Sequence, residues 1–149
     1  MKVVTMKRRQ ILKLIGTFSP ILWVASCKEK LPATPTIVTG RVVDQNNVPL
    51  EGARIIMIGA ERAGLSGFEK FSVFSDTDQQ GNYTLSQILP KGTDYVIVQS
   101  ESTSKVSIDE GNYIPYFEIN GNYVLESSSY ILSGSNFDKK TILNFQYRK

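Results

Sequence analysis

Cys27 is the single cysteine of a 149-residue chain that contains no histidine, and these two facts bound most of the chemistry open to it. A thiol with no partner in its own chain forms no internal disulfide, so its use lies in its own nucleophilicity. It follows Val24-Ala25-Ser26 at the end of a basic, then apolar leader, a placement that points to acylation at a newly cut N-terminus. The alternative is an ordinary cleaved signal with a small buried cysteine. Without imidazole, Ser-His-Asp and Cys-His nucleophile pairs and histidine zinc sites are excluded. Carboxylates remain, and Asp76/Asp78 and Asp109-Glu110 are the nearest pairs. Adjacent residues on a strand point to opposite faces, so Asp109-Glu110 could act together only from a loop. Both pairs read more simply as solvated turn residues. Asp76-Thr77-Asp78-Gln79-Gln80-Gly81 places oxygen donors at alternate positions with glycine sixth, like the first half of a calcium loop. Gln87 then stands where a bidentate glutamate would close the site. The expectation is no catalytic residue, no metal and no cofactor.

The second group with chemical potential is aromatic. Tyr113, Tyr116, Phe117 and Tyr123 form the densest such cluster, with Gly111-Asn112 and Asn120-Gly121 nearby. Ring faces stack on sugars or anchor a protein partner; the alternative is a set of core residues and cross-strand pairs. Pro115 favours an edge strand or loop for this segment, because proline cannot donate to a ladder.

The elements that must carry these residues begin with the leader. Lys2, Lys7, Arg8, Arg9 and Lys13 precede a mostly apolar stretch from Leu14 to Ala25. Twelve helical residues rise roughly 18 Å against a hydrocarbon core of about 30 Å, too little for a permanent span. Five of the seventeen Lys/Arg and none of the fourteen Asp/Glu lie in residues 1–26, so the remaining 123 residues carry twelve basic against fourteen acidic groups. No basic stripe survives there, and nucleic acid is excluded as a partner. Residues 28–36, with Pro32 and Pro35, form a tether that reaches at most roughly 28 Å when extended.

Beyond the tether every periodic segment is short. Val38-x-Gly40-x-Val42 alternates, and Ala53 to Gly59 is a β-branched apolar run. Further strands are expected at Phe71–Phe74, Tyr83–Leu85, Tyr95–Val98, Tyr113–Ile119, Tyr123–Leu132 and Thr141–Tyr147. Turn chemistry divides them at Asn46-Asn47, Gln80-Gly81-Asn82, Pro90-Lys91-Gly92, Asn120-Gly121-Asn122 and Ser133-Gly134-Ser135. Asn120-Gly121 predicts a type I′ hairpin. The fold class is all-β, an antiparallel β-sandwich of about seven to eight strands.

Three resemblances refine this reading. Val24-Ala25-Ser26-Cys27 resembles the lipobox of bacterial lipoproteins, which implies signal-peptidase recognition of Val24, Ala25 and Ser26 and lipidation of Cys27. Lys7-Arg8-Arg9-Gln10-Ile11-Leu12-Lys13 resembles the twin-arginine export motif through Arg8 and Arg9, although Lys7 and Ile11 depart from its usual residues and a general secretory signal stays open. Gly40-Arg41-Val42-Val43-Asp44, Val48 to Ile55, Thr77 to Leu85 and Leu89 to Ile97, in that order, resemble the carboxypeptidase regulatory-like domain, which implies a transthyretin-like sandwich. Intradiol dioxygenases open similarly but hold iron with two histidines, and transthyretin-like hydroxyisourate hydrolases also need histidines absent here. The expected organisation is a signal peptide (1–26), a lipidated tether (27–36) and one domain (37–149). The expected role is a non-catalytic binding, adhesion or assembly module, anchored to the cell envelope at the outer membrane, whose partner is an envelope protein or a glycan. A carbohydrate-binding accessory protein is the alternative, and a degenerate dioxygenase relative the weaker one.

Overall fold

The computed structural model describes residues 34–64, 66–109, 111–125 and 129–149. Arg8, Arg9, Val24, Ala25, Ser26 and Cys27, with the tether as far as residue 33, lie outside the described residues, as does Glu110. Among the described residues the regular elements are ten strands and one 3₁₀ turn at Gly134–Asn136. The strands are β1 (Thr36–Asp44), β2 (Arg54–Ala63), β3 (Ser66–Asp76), β4 (Asn82–Gln87), β5 (Tyr95–Glu101), β6 (Ile114–Ile119), β7 (Asn122–Leu125), β8 (Tyr130–Leu132), β9 (Lys140–Ile142) and β10 (Phe145–Arg148).

They form two sheets. The larger has the order β4-β1-β10-β6-β7, with β9 beside the first half of β1, and the smaller has the order β3-β2-β5-β8. Period-two alternation sends one side of most strands into a shared core. Val38, Val42, Tyr83, Leu85, Phe117, Phe145 and Tyr147 enter it from the larger sheet, and Ile55, Met57, Val96, Val98 and Leu132 from the smaller. The all-β sandwich expected from the sequence is the observed architecture.

Three details differ from the expectation. There are ten strands rather than seven to eight, because two expected strands are each divided. Tyr123–Leu132 becomes β7 in the larger sheet and β8 in the smaller, so the chain changes sheet within a stretch expected to be one strand. Thr141–Tyr147 breaks at Leu143-Asn144, and both of its halves run parallel to β1, so the sandwich is not wholly antiparallel. The break has a local cause. The Leu143 carbonyl steps over the core side of β1, where a Cβ at position 40 would collide with it, so Gly40 is the residue that lets the backbones meet. That carbonyl accepts the Tyr83 hydroxyl at 2.6 Å. The Asn144 side chain takes over the interrupted ladder, with Oδ1 accepting the Arg41 amide at 3.0 Å and Nδ2 donating to Glu118 Oε2 at 2.8 Å.

The turns follow the expected chemistry. Asn120 and Gly121 both take positive φ, 51° and 81°, between the paired residues Ile119 and Asn122, as a type I′ hairpin requires. Two aspartates at strand ends hold their loops alike. Asp44 Oδ1 accepts the amides of Asn46 and Val48 at 2.8 Å each, and Asp78 Oδ1 accepts those of Gln80 and Asn82 at 2.9 and 2.8 Å. Such Asx geometry satisfies loop amides that no strand can reach.

Candidate functional site

The outer face of the larger sheet gathers the polar and aromatic side chains that the core leaves out. β1, β10, β6 and β7 lie side by side, and two rows run across them. One row is Arg41, Asn144, Glu118 and Tyr123, linked by the Asn144 bonds to Arg41 and Glu118 and by the Glu118–Tyr123 strand pair. The next is Val43, Gln146, Tyr116 and Leu125, direct cross-strand partners throughout. A depression of about 230 Å³ between them is lined by Arg41, Val43, Asn47, Tyr123 and Asn144.

Hydrogen bonds fix several of these groups. Arg148 lays its guanidinium 4.2 Å from the Tyr116 ring centroid, a cation–π geometry, and its Nε donates to Gln146 Oε1 at 2.8 Å. Arg41 Nε donates to the Gln80 carbonyl at 2.8 Å. Burial and, secondarily, the Glu118 carboxylate push the Tyr123 hydroxyl above its ordinary range, while Arg148 opposes them. The phenol therefore stays protonated at neutral pH and can both donate and accept. Planar rings beside amides and guanidinium donors form a surface that can stack on a flat apolar ring face and bond the polar groups at its rim.

The four expected contact aromatics separate. Tyr116 and Tyr123 lie on this outer face, on either side of the Tyr116–Leu125 and Glu118–Tyr123 pairs. Phe117 points the other way, is only 6% exposed and meets Tyr130 edge-on at 5.6 Å; it is a core residue and reaches no partner. Tyr113 packs against the buried Tyr147 with ring centroids 6.0 Å apart, and Lys149 Nζ sits 4.9 Å from its ring centroid. Arg41, Asn47, Asn144, Gln146 and Arg148 were not anticipated. The signal for three of them was present, since polar Asn144, Gln146 and Arg148 alternate with apolar Leu143, Phe145 and Tyr147.

The carboxylates are occupied structurally. Asp76 receives Arg54 Nε at 2.7 Å and Nη2 at 3.0 Å, and this pairing holds it below the usual carboxylate range. Asp78 is lowered by the amides it caps, Asn82 first, so the stretch from Asp76 to Gly81 forms the turn into β4. Asp109 is held by Ser107 and Asn112 at 2.8 and 2.6 Å. No group of three or more metal-ligating side chains occurs among the described residues. Another depression, of about 520 Å³, lies at the end of the smaller sheet and is lined by residues that include Arg54, Asp76 and Lys105. Its charges are mutually paired, Arg54 with Asp76 and Lys105 with Glu51, which leaves it less able to recognise a ligand than the tyrosine face. No described helix is long and apolar enough to cross a membrane.

No protein-family model matches the chain, and no curated protein matches it. Among solved structures it is similar to the full-length major pilin SpaD from Corynebacterium diphtheriae, with a TM-score of 0.46 and 10% identity over 76% of this chain and 30% of that one. It is similar to BcpA, the major pilin subunit of Bacillus cereus, with a TM-score of 0.43 and 15% identity over 78% and 30%. The dioxygenase domain of a carbohydrate-binding fusion from Streptomyces sp. SirexAA-E gives a TM-score of 0.40 and 18% identity over 80% and 82%. The chain thus spans about 30% of the length of either pilin. Identities and TM-scores this low leave function to be read from the chain's own geometry.

Proposed function

We propose that the chain is a non-catalytic module of the bacterial cell envelope, lipid-anchored at the outer membrane through Cys27, whose β-sandwich binds an envelope protein or a glycan with the outer face of its larger sheet. One observation carries the reading: Tyr116 and Tyr123 share that face with Arg41, Arg148 and three side-chain amides, in cross-strand rows that the fold does not need for its core. Support for the domain assignment comes from the ordered resemblance of residues 37–100 to the carboxypeptidase regulatory-like family. Anchoring follows from the leader and its lone thiol, and two or three acyl chains would hold the module stably where one barely does.

A carbohydrate-binding accessory protein is the second reading, favoured by two tyrosines in adjacent rows beside amides and guanidinium groups. Glycan-array binding compared between wild type, Tyr116→Ala and Tyr123→Ala tests it. Loss of a specific signal in both variants is expected, and a signal indifferent to both removes sugar recognition from this face. Mass spectrometry of the mature N-terminus tests the anchor; an acylated Cys27 is expected, and an unmodified residue there overturns it. A stoichiometric metal in protein purified from the exporting host would instead favour a dioxygenase-like enzyme.

A further inference from the structure

We propose that the seam between β1 and the segment carrying β9 and β10 is a mechanical clamp, which tension drawn between the N-terminal tether and the far end of β10 loads in shear. Both sides of the seam run in the same direction. Residues 37–39 of β1 pair parallel with β9, and residues 42–44 pair parallel with β10. Hydrogen bonds close the seam from end to end. The Asp138 amide donates to Thr36 Oγ1 at 2.9 Å, the Ile37 amide to the Lys139 carbonyl and the Leu143 amide to the Thr39 carbonyl, both at 2.9 Å. The Arg41 amide reaches Asn144 Oδ1 at 3.0 Å, and the Lys149 amide reaches Gln45 Oε1 at 2.8 Å. On its other side β1 pairs with β4 through residues 36–41, and Val38 and Val42 are fully buried beneath it.

Strand direction decides how this seam meets a force. The chain enters β1 from the tether side at Thr36, and β10 leaves the seam at its opposite end, beside Gln45. A pull between those ends acts along the two strands in opposite senses, so every bond of the seam shares the load and none opens before the rest. A hairpin pulled apart at its open end instead loses its bonds one at a time. Slippage is blocked as well. A shift of one residue turns the inward face of β1 outward, so the nearest alternative register lies two residues away, roughly 7 Å along the strand. That step toward the tether carries Val42 to the place of Gly40, under the Leu143 carbonyl, where a Cβ has no room. The clamp therefore holds or breaks outright. Arg148, at the loaded end, lies over the Tyr116 ring of β6, so a partner held there would pull through the same seam. Use of the clamp on the cell rests on the anchored reading above, whereas the shear geometry rests on strand order alone.

Single-molecule force spectroscopy on the full chain tests the clamp, with the protein made in the absence of acylating enzymes so that the Cys27 thiol serves as one handle. The second handle is Lys149→Cys for shear or Ile88→Cys for peeling. Ile88 follows Gln87, the strand partner of Thr36, and so lies at the tether end of β1. Forced unfolding reads the barrier along the pulled direction rather than the equilibrium stability, and at one loading rate the shear pair is expected to rupture at a force at least ~2-fold above the peeling pair. Asn144→Ala removes the side-chain bond to the Arg41 amide. It should lower the shear force and leave the peeling force unchanged, because peeling opens the ladder between β1 and β4 first. Equal wild-type forces in the two geometries overturn the clamp. An Asn144→Ala chain in which both forces fall in equal proportion overturns the seam as the element under load. An unmodified Cys27 in the exporting host would overturn the anchored reading and not the clamp.

Discussion

The two sheets share one core, yet their outer faces differ in composition. On the larger sheet tyrosine, arginine, asparagine and glutamine share the outward positions with Val43 and Leu125; Asn144 bonds Arg41 and Glu118, and Gln146 bonds Arg148. On the smaller, Ile56, Ile58, Phe74, Ile97 and Ile131 face outward beside Ser72 and Gln99, with charged side chains toward the two ends. Folding needs just the inward residues to be apolar, so either outer composition is compatible with the sandwich. The contrast is one of composition: one face sets polar and aromatic side chains in cross-strand rows, and the other makes Ile58, Ile97 and Ile131 neighbours across three strands.

The strongest way to break the comparison is to remove the core that both faces share. Phe145, fully buried in the larger sheet, should cost about 3–5 kcal/mol as Phe145→Ala, measured by denaturant unfolding, and both faces should be lost together. Next comes Tyr83→Phe, which deletes the hydroxyl that bonds the Leu143 carbonyl. A loss of about 1–2 kcal/mol is expected. Unchanged stability would mean that the step between β9 and β10 does not depend on it.

Smaller changes sharpen the contrast. Ile131→Thr should leave unfolding within about 1 kcal/mol of wild type, because Ile131 is 61% exposed and exposed positions contribute little to folding. A large loss of stability would make the Ile131 side chain part of what holds β8 to β5. Acid should act on the charged end of that face. Pairing with Arg54 lowers the folded-state pKa of Asp76 below the ordinary 3.8, so its contribution is fully present above that value and is lost as pH falls through the lower folded one. Thermal unfolding followed below about pH 4 should show the decline, and Asp76→Asn should flatten it. The smallest effect belongs to the polar face: Glu118→Gln should move the Tyr123 ionisation partly back toward its ordinary value, read by ultraviolet difference spectroscopy. Burial, the larger cause of the shift, stays in place.

Much of the fold was legible because strands announce themselves locally. Val38, Val42, Ile55, Met57, Val96 and Val98 alternate in sequence and are buried in the structure. Asn120-Gly121 predicts a hairpin from dihedral preference alone. The chain's change of sheet between Leu125 and Tyr130 was not legible, since period two says which side a residue faces within a strand and nothing about which sheet the strand joins. Nor did the aromatic cluster reveal its division. Tyr116 and Phe117 are adjacent, and only pairing with β10 decides which of them faces out.

By itself the sequence determined an all-β chain with a single cysteine and no histidine to support imidazole chemistry. Those conclusions rest on composition and on interactions between near neighbours. The tertiary structure decided which polar residues meet. Arg41 and Asn144 lie 103 positions apart and are joined by one hydrogen bond, and Ile58, Ile97 and Ile131 become a single surface only through strand order. Register between distant strands is a cooperative property of the packed core, and no local pattern encodes it.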